Sequence, residues 1–205
     1  MIVPVLNEKD SLRPLFQEIA AVMEKRAWLY EILCIDDGST DGTPEILRSL
    51  SKENPLVRPF VFSHHRGKSA ALACGFRNAR GAFIVTLDGD LQDVPEEMVK
   101  LWNVMESQKA DLISGRKKVR HDPWHKIISS RLFNALVRWI TGVKLHDFNC
   151  GLKIYRAEVA REIPLHGELH RFTPALAVWK GFRVAEEPIE HRPRRYGKSK
   201  YGLVS

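Results

Sequence analysis

Short apolar runs alternate with amphipathic stretches along the first half of the chain. Ile2–Leu6 is apolar and ends at Asn7-Glu8, which predicts a strand and a loop. Leu12, Leu15, Phe16, Ile19 and Val22-Met23 recur at helical spacing, with Ser11 placed to cap that helix. Tyr30–Ile35 reads as a second buried strand, residues 36–43 as a loop, and the stretch near Pro44–Leu50 as a helix. Val57–Phe62 predicts a third strand, Ser69–Asn78 a helix ended by Gly81, and Ala82–Leu87 a fourth strand. Strands and helices in this alternation predict a mostly parallel, Rossmann-like sheet flanked by helices. In such sheets the binding crevice lies at the carboxyl ends of the strands.

The second half is less regular. A helix is predicted over Pro95–Gln108, a strand over Asp111–Ser114, a strand over Lys153–Tyr155 and a helix over Phe172–Lys180. Between them, Ile127–Ile140 predicts an amphipathic helix rich in large apolar groups. With 205 residues and no internal repeat, one domain over 1–205 is expected. No run of 18 apolar residues is present, so no spanning helix is expected. Residues 1–5 do not resemble a signal peptide. Cys34, Cys74 and Cys150 are far apart, which argues against a disulfide framework or a cysteine zinc site and for a reducing, cytosolic setting.

Charge changes the picture. Residues 1–110 carry 13 Lys+Arg against 16 Asp+Glu, while residues 111–205 carry 19 against 9. The second half is therefore expected to meet something anionic: phosphates, an anionic membrane or nucleic acid. Nucleic acid is disfavoured, because Trp124, Phe133 and Trp139 follow helical spacing with aliphatic residues instead of alternating with cations as a base-stacking platform would.

Candidate chemistry sits at the predicted strand ends. Asp88-Gly89-Asp90-Leu91-Gln92-Asp93 follows a buried strand, and carboxylates this dense repel one another unless a cation lies among them. A hard cation such as Mg²⁺ takes one or two carboxylates and completes its shell with water and substrate phosphates. A calcium EF-hand fails: counted from Asp88, the sixth position is Asp93 and the twelfth Val99. Counted from Asp37 the sixth is Gly42, but the twelfth is Arg48. Asp36-Asp37 follows another strand, where a base or ribose would be hydrogen-bonded. Gly67-Lys68-Ser69 ends like a P-loop, but Phe62 stands where its first glycine belongs. Lys68 is left as either a phosphate ligand or a surface lysine. The histidines, His170 and His191 among them, show no HExxH spacing, and no GxSxG elbow exists.

Taken in order, Pro4-Val5-Leu6-Asn7-Glu8, residues 36–43 and residues 88–95 resemble the family 2 glycosyltransferases of GT-A fold. Ser114-Gly115-Arg116, Ser130-Arg131-Leu132-Phe133-Asn134, residues 147–153 and residues 194–201 are similar to the branch that acts on polyprenyl phosphates, dolichyl- and undecaprenyl-phosphate among them. The resemblance covers essentially the whole chain. It implies a nucleotide-sugar half over 1–110 and an acceptor half over 111–205. Relatives commonly continue past this point into further helices, so a truncated acceptor half is an open expectation.

By the same resemblance, Pro4, Glu8, Asp36 and Asp37 hold the donor, UDP- or GDP-hexose; Lys68, from its place at a helix start, is a further donor-binding candidate. Asp88 and Asp90 bind Mg²⁺ or Mn²⁺ at its diphosphate, with Gln92 completing the shell. Arg116 and Arg131 grip the acceptor phosphate, and guanidinium suits a bidentate grip. Arg194 and Lys200 belong to a basic flap over the donor. Asp147 is the available base if one is used; otherwise it positions the sugar or the flap. The implied activity is metal-dependent, inverting hexosyl transfer to polyprenyl phosphate, with the protein peripheral to the cytoplasmic face of the inner or ER membrane. The alternative is transfer to a glycan hydroxyl in polysaccharide synthesis. Homo-oligomerisation is open, and no nucleic-acid polymer is expected.

Overall fold

The computed structural model describes residues 1–118, 137–139, 142, 143 and 145–196. Its centre is a seven-stranded sheet in the order β3-β2-β1-β4-β6-β5-β7. The strands are β1 (Ile2–Val5), β2 (Ile32–Asp36), β3 (Val57–Val61), β4 (Phe83–Thr86), β5 (Leu112–Lys117), β6 (Lys153–Arg156) and β7 (Val184–Ile189). Strands β3, β2, β1 and β4 run parallel, β6 is antiparallel to both β4 and β5, and β7 returns parallel to β5. The expected mostly parallel sheet is present.

Both faces of the sheet are covered, so β1 and β2 are buried along their whole length and read as continuous apolar runs. Helices α1 (Leu12–Lys25), α2 (Thr43–Glu53) and α4 (Glu97–Gln108) pack on one face around Val3, Cys34, Ile113 and Ile154. Helices α3 (Lys68–Asn78), α5 (Ala157–Glu162) and α6 (Thr173–Trp179) pack on the other around Ile2, Leu33, Ile84 and Tyr155.

Three expectations are revised. Ser11 precedes α1 but makes no side-chain cap; its buried hydroxyl donates across the molecule to Gly89 O (2.6 Å), with Glu8 O also within 2.9 Å. The strand expected over 111–114 runs to Lys117, which places Arg116 inside the sheet. Strand β7 and helix α5 were not expected; Glu186, Glu187 and Pro188 mask the edge strand's apolar signal. The expected helix over 127–140 lies largely outside the described residues, of which 137–139 are helical. No helix among the described residues is long and apolar enough to cross a membrane.

Candidate active site

Strands are added to one side of β1 as far as β3 and to the other side from β4 on, so the loops after the parallel strands β1, β2 and β4 converge at one crevice. Asn7, in left-handed backbone at the end of β1, ties two of them together. Its side-chain oxygen accepts the N–H groups of Thr40 (2.7 Å) and Asp41 (3.2 Å), and its own N–H donates to Ser39 Oγ (2.7 Å). Gly38 lies at positive φ where a Cβ would stand 2.5 Å from the His64 backbone, so only glycine lets the loops after β2 and β3 touch.

The two aspartates after β2 differ in use. Asp37 accepts N–H groups from Arg66 (2.8 Å) and Gly67 (3.0 Å) and pairs with His65 (2.7 Å), so it shapes the loop leading into α3. Asp36 is fully buried; one oxygen accepts the Ser39 N–H (2.9 Å) and the other has no hydrogen-bond partner among the described residues. Burial pushes its carboxyl pKa up. Such an orphan acceptor asks for a donor from outside the chain.

After β4, acids and bases interlock. Lys68, the first residue of α3, pairs with Asp88, and Arg194 bridges Asp90 and Glu8. Burial would raise the Asp88 pKa, but the Lys68 charge and hydrogen bond overcome it and hold it at about 2. Asp90 shifts the other way, through burial and then the Asp88 charge. Asp93 shifts furthest, to about 6, for the same two reasons. Gln92 donates its amide to Arg192 O (3.2 Å), and it is Asp93 that turns inward, accepting the Asp88 N–H (3.2 Å). Left-handed Leu91 makes this turn.

These residues suit a divalent cation on the chemistry of their donors. Three carboxylates crowd one turn, and burial, followed by the Asp88 charge, pushes two of them towards protonation. Gly151 leaves the space bare: a Cβ there would sit 2.7 Å from Asp88 Cγ and 2.8 Å from Asp93 Oδ2. Among the described residues no group of three His, Cys, Asp or Glu is disposed as a complete metal cage. A hard cation that takes two carboxylates fills its remaining positions with water and phosphate.

The loop from the second half closes the crevice. Asp147 is buried, and its Oδ1 accepts the Asn149 N–H (3.0 Å). Thr86 donates to Gly151 O (2.8 Å), and Lys153 donates to Cys150 O, so the 147–153 loop is pinned to β4 and β6. Arg116 stands near the end of β5 with its Nε buried and without a hydrogen-bond partner among the described residues.

The structure thus brings Glu8, Asp36, Asp37, Lys68, Asp88, Asp90 and Arg194 to one crevice, with Pro4 buried in β1 beneath it and Arg116 and Asp147 contributed by the second half of the chain. Arg131 and Lys200 lie outside the described residues. Asp93, Lys153 and His170 were not singled out from the sequence. Asp93 and Lys153 stood inside quoted motifs, but nothing in their spacing shows that they are buried.

The model for glycosyl transferase family 2 matches residues 1–164. Dodecaprenyl-phosphate galacturonate synthase of Rhizobium johnstonii is 39% identical, over 99% of this chain and 61% of that protein. Undecaprenyl-phosphate 4-deoxy-4-formamido-L-arabinose transferase of Edwardsiella ictaluri is 35% identical, over 100% of this chain and 63% of that protein. The chain therefore spans about three-fifths of the length of these curated relatives. Among solved structures, glucosyl-3-phosphoglycerate synthase from Mycobacterium tuberculosis with Mn²⁺ and UDP-glucose superposes with a TM-score of 0.73 at 17% identity, covering 96% of this chain and 71% of that one. A mannosyltransferase from Pyrobaculum calidifontis with GDP-Man and Mn²⁺ gives 0.67 at 21% identity, covering 93% and 55%. The architecture is the GT-A fold, and the chain belongs to glycosyl transferase family 2.

Proposed function

We propose that this chain carries the catalytic machinery for inverting transfer of a hexose from a nucleoside-diphosphate sugar to polyprenyl phosphate at a membrane surface. The observation that carries the reading is the interlocked set Lys68–Asp88 and Arg194–Asp90–Glu8, lying beside the orphan acceptor of Asp36. One end of the crevice offers a hydrogen-bond acceptor for a base or ribose. The other offers carboxylates and cations that a diphosphate and its counter-ion can re-pair. The names of the curated relatives support the acceptor class, since both specify a polyprenyl phosphate.

Mg²⁺ or Mn²⁺, held by Asp88 and Asp90, would supply positive charge against the diphosphate as it departs. Lys68 and Arg194, freed from those carboxylates, are placed to take up the same negative charge. A phosphate monoester, with a second pKa near 6, is already largely dianionic at neutral pH. Its oxygen attacks the anomeric carbon, the bond to the diphosphate oxygen breaks, and the electron pair leaves with the diphosphate. No proton needs removing, so Asp147 acts by shaping its loop. Arg116 orients the incoming phosphate in this reading, which its guanidinium Nε, buried without a hydrogen-bond partner among the described residues, supports.

The test is a panel of UDP- and GDP-sugars offered with short-chain polyprenyl phosphate and Mg²⁺ or Mn²⁺. Lipid-linked sugar is expected with one donor, lost in EDTA, and reduced about 10²–10³-fold by Asp90→Asn. Full turnover in EDTA, or product only with a glycan hydroxyl acceptor, overturns the reading.

A further inference from the structure

Thr86, Lys153 and Ser114 stand side by side on β4, β6 and β5, so their side chains share the α3 face of the sheet at its active-site end. Arg116, two residues beyond Ser114 on β5, is on that face about 7 Å further along. Lys153 is only 5% exposed, its ammonium donates to Cys150 O, and among the described residues no carboxylate lies within ion-pair distance of it. Burial pulls its pKa below the ordinary lysine value. Of the other ammonium groups nearby, Lys68 is committed to Asp88, and Lys117 is partly buried with Asp93 and Asp88 as its nearest carboxylate charges. His170 adds no charge: its Nδ1 lies 3.0 Å from Ser69 Oγ, and burial followed by the Lys68 charge pushes its pKa down to about 3.

A buried ammonium and a partly buried guanidinium therefore stand on one side of the crevice without an ion pair among the described residues, Asp147 and Asp88 acting on Lys153 only from beyond ion-pair distance. Burying a cation unpaired is costly, and a ligand anion removes the cost. We propose that Lys153, together with Arg116, forms a phosphate-binding subsite, and that Lys153 is a substrate-binding residue to which the resemblance assigned no role. The inference rests on the proposed function for the source of the phosphate, either the acceptor monophosphate or the donor diphosphate. Loop position alone does not account for Lys153: Thr86 already holds Gly151 O, so the loop has a neutral anchor next to the charged one.

The experiment is calorimetric titration of the parent chain and of Lys153→Met and Lys153→Arg with farnesyl phosphate, and separately with UDP and GDP in Mn²⁺, alongside thermal melts. Methionine keeps the length and removes the charge, so the melting temperature of Lys153→Met should hold or rise. Farnesyl phosphate should bind it about tenfold or more weakly, with Lys153→Arg recovering most of the loss. A loss confined to the nucleoside diphosphates assigns the subsite to the donor instead. Unchanged affinity for both ligands, with a lowered melting temperature, overturns the proposal and makes Lys153 a loop anchor. A parent that transfers no sugar yet binds farnesyl phosphate through Lys153 refutes the proposed reaction and leaves the subsite standing. A parent that transfers normally with Lys153→Met unimpaired does the reverse.

Discussion

A carboxylate buried beside two others is unstable as an anion unless a cation offsets it, and Asp93 feels this most. It is 2% exposed, and its pKa of about 6 stands above the ordinary 3.8. Between those values the folded chain holds a proton that the unfolded chain has released, so this group's contribution to stability falls as pH rises from about 4 to about 6. Asp88, held at about 2, acts with the opposite sign and below that window. Asp93→Asn keeps an acceptor for the Asp88 N–H and removes the ionisation. In EDTA, its melting temperature relative to the parent should climb between pH 4 and pH 7 and then level off. A difference that stays flat with pH would mean that Asp93 does not titrate in this range. The residue chemistry was partly legible beforehand. Acid density marked the turn, and the family motifs drew attention to Asp88, Asp90 and Gln92. Which of Gln92 and Asp93 faces inward depends on the left-handed backbone at Leu91, and the bare sequence carries no sign of that for a leucine.

At the scale of elements, the alternation of apolar runs made β1 to β4 and their helices readable, because parallel strands buried on both faces are apolar throughout. The second half was harder for a physical reason. Strand β6 is short, and Lys153 on it is a buried cation that imitates a surface position. Strand β7 lies at the sheet edge, where Pro188 and two glutamates are tolerated. Ser11 shows the same limit at a helix start. Its position suits a cap, yet its hydroxyl holds the Gly89 carbonyl between Asp88 and Asp90. Ser11→Ala should therefore act as loss of a buried long-range hydrogen bond. We expect about 1–3 kcal/mol lower stability in urea unfolding, since Gly89 O is left without that donor. Gly in place of Ser11 should do no better. If glycine restored stability, the serine would be acting through the helix end after all.

The whole molecule is polarised: net −3 over residues 1–110 and net +10 over residues 111–205. Residues 116–144 alone hold eight Lys and Arg against Asp122, interleaved with large apolar residues. Most of that segment lies outside the described residues, but its described end is informative. Val137 is buried against Phe148 and Ala175, while Trp139 is 82% exposed beside exposed Arg138. The apolar stripe is thus split between a core side and a solvent side at that point. An exposed tryptophan beside a cation is suited to a headgroup layer. Each Lys or Arg near an anionic surface contributes about 1 kcal/mol, screened over roughly 8 Å at physiological salt. Three or four of them with modest apolar insertion give reversible binding without a spanning helix. The proposed reaction requires such contact, because a polyprenyl chain stays in the bilayer and its phosphate must be met at the surface. Co-sedimentation of the 205-residue chain with anionic vesicles at low salt should show binding that declines as salt rises, with little on neutral vesicles. Trp139→Ser should weaken it and leave the melting temperature unchanged, since that side chain packs little against the protein. If the chain stays in the supernatant with anionic vesicles at low salt, the basic segment alone does not dock, and surface contact must come from elsewhere in a longer protein.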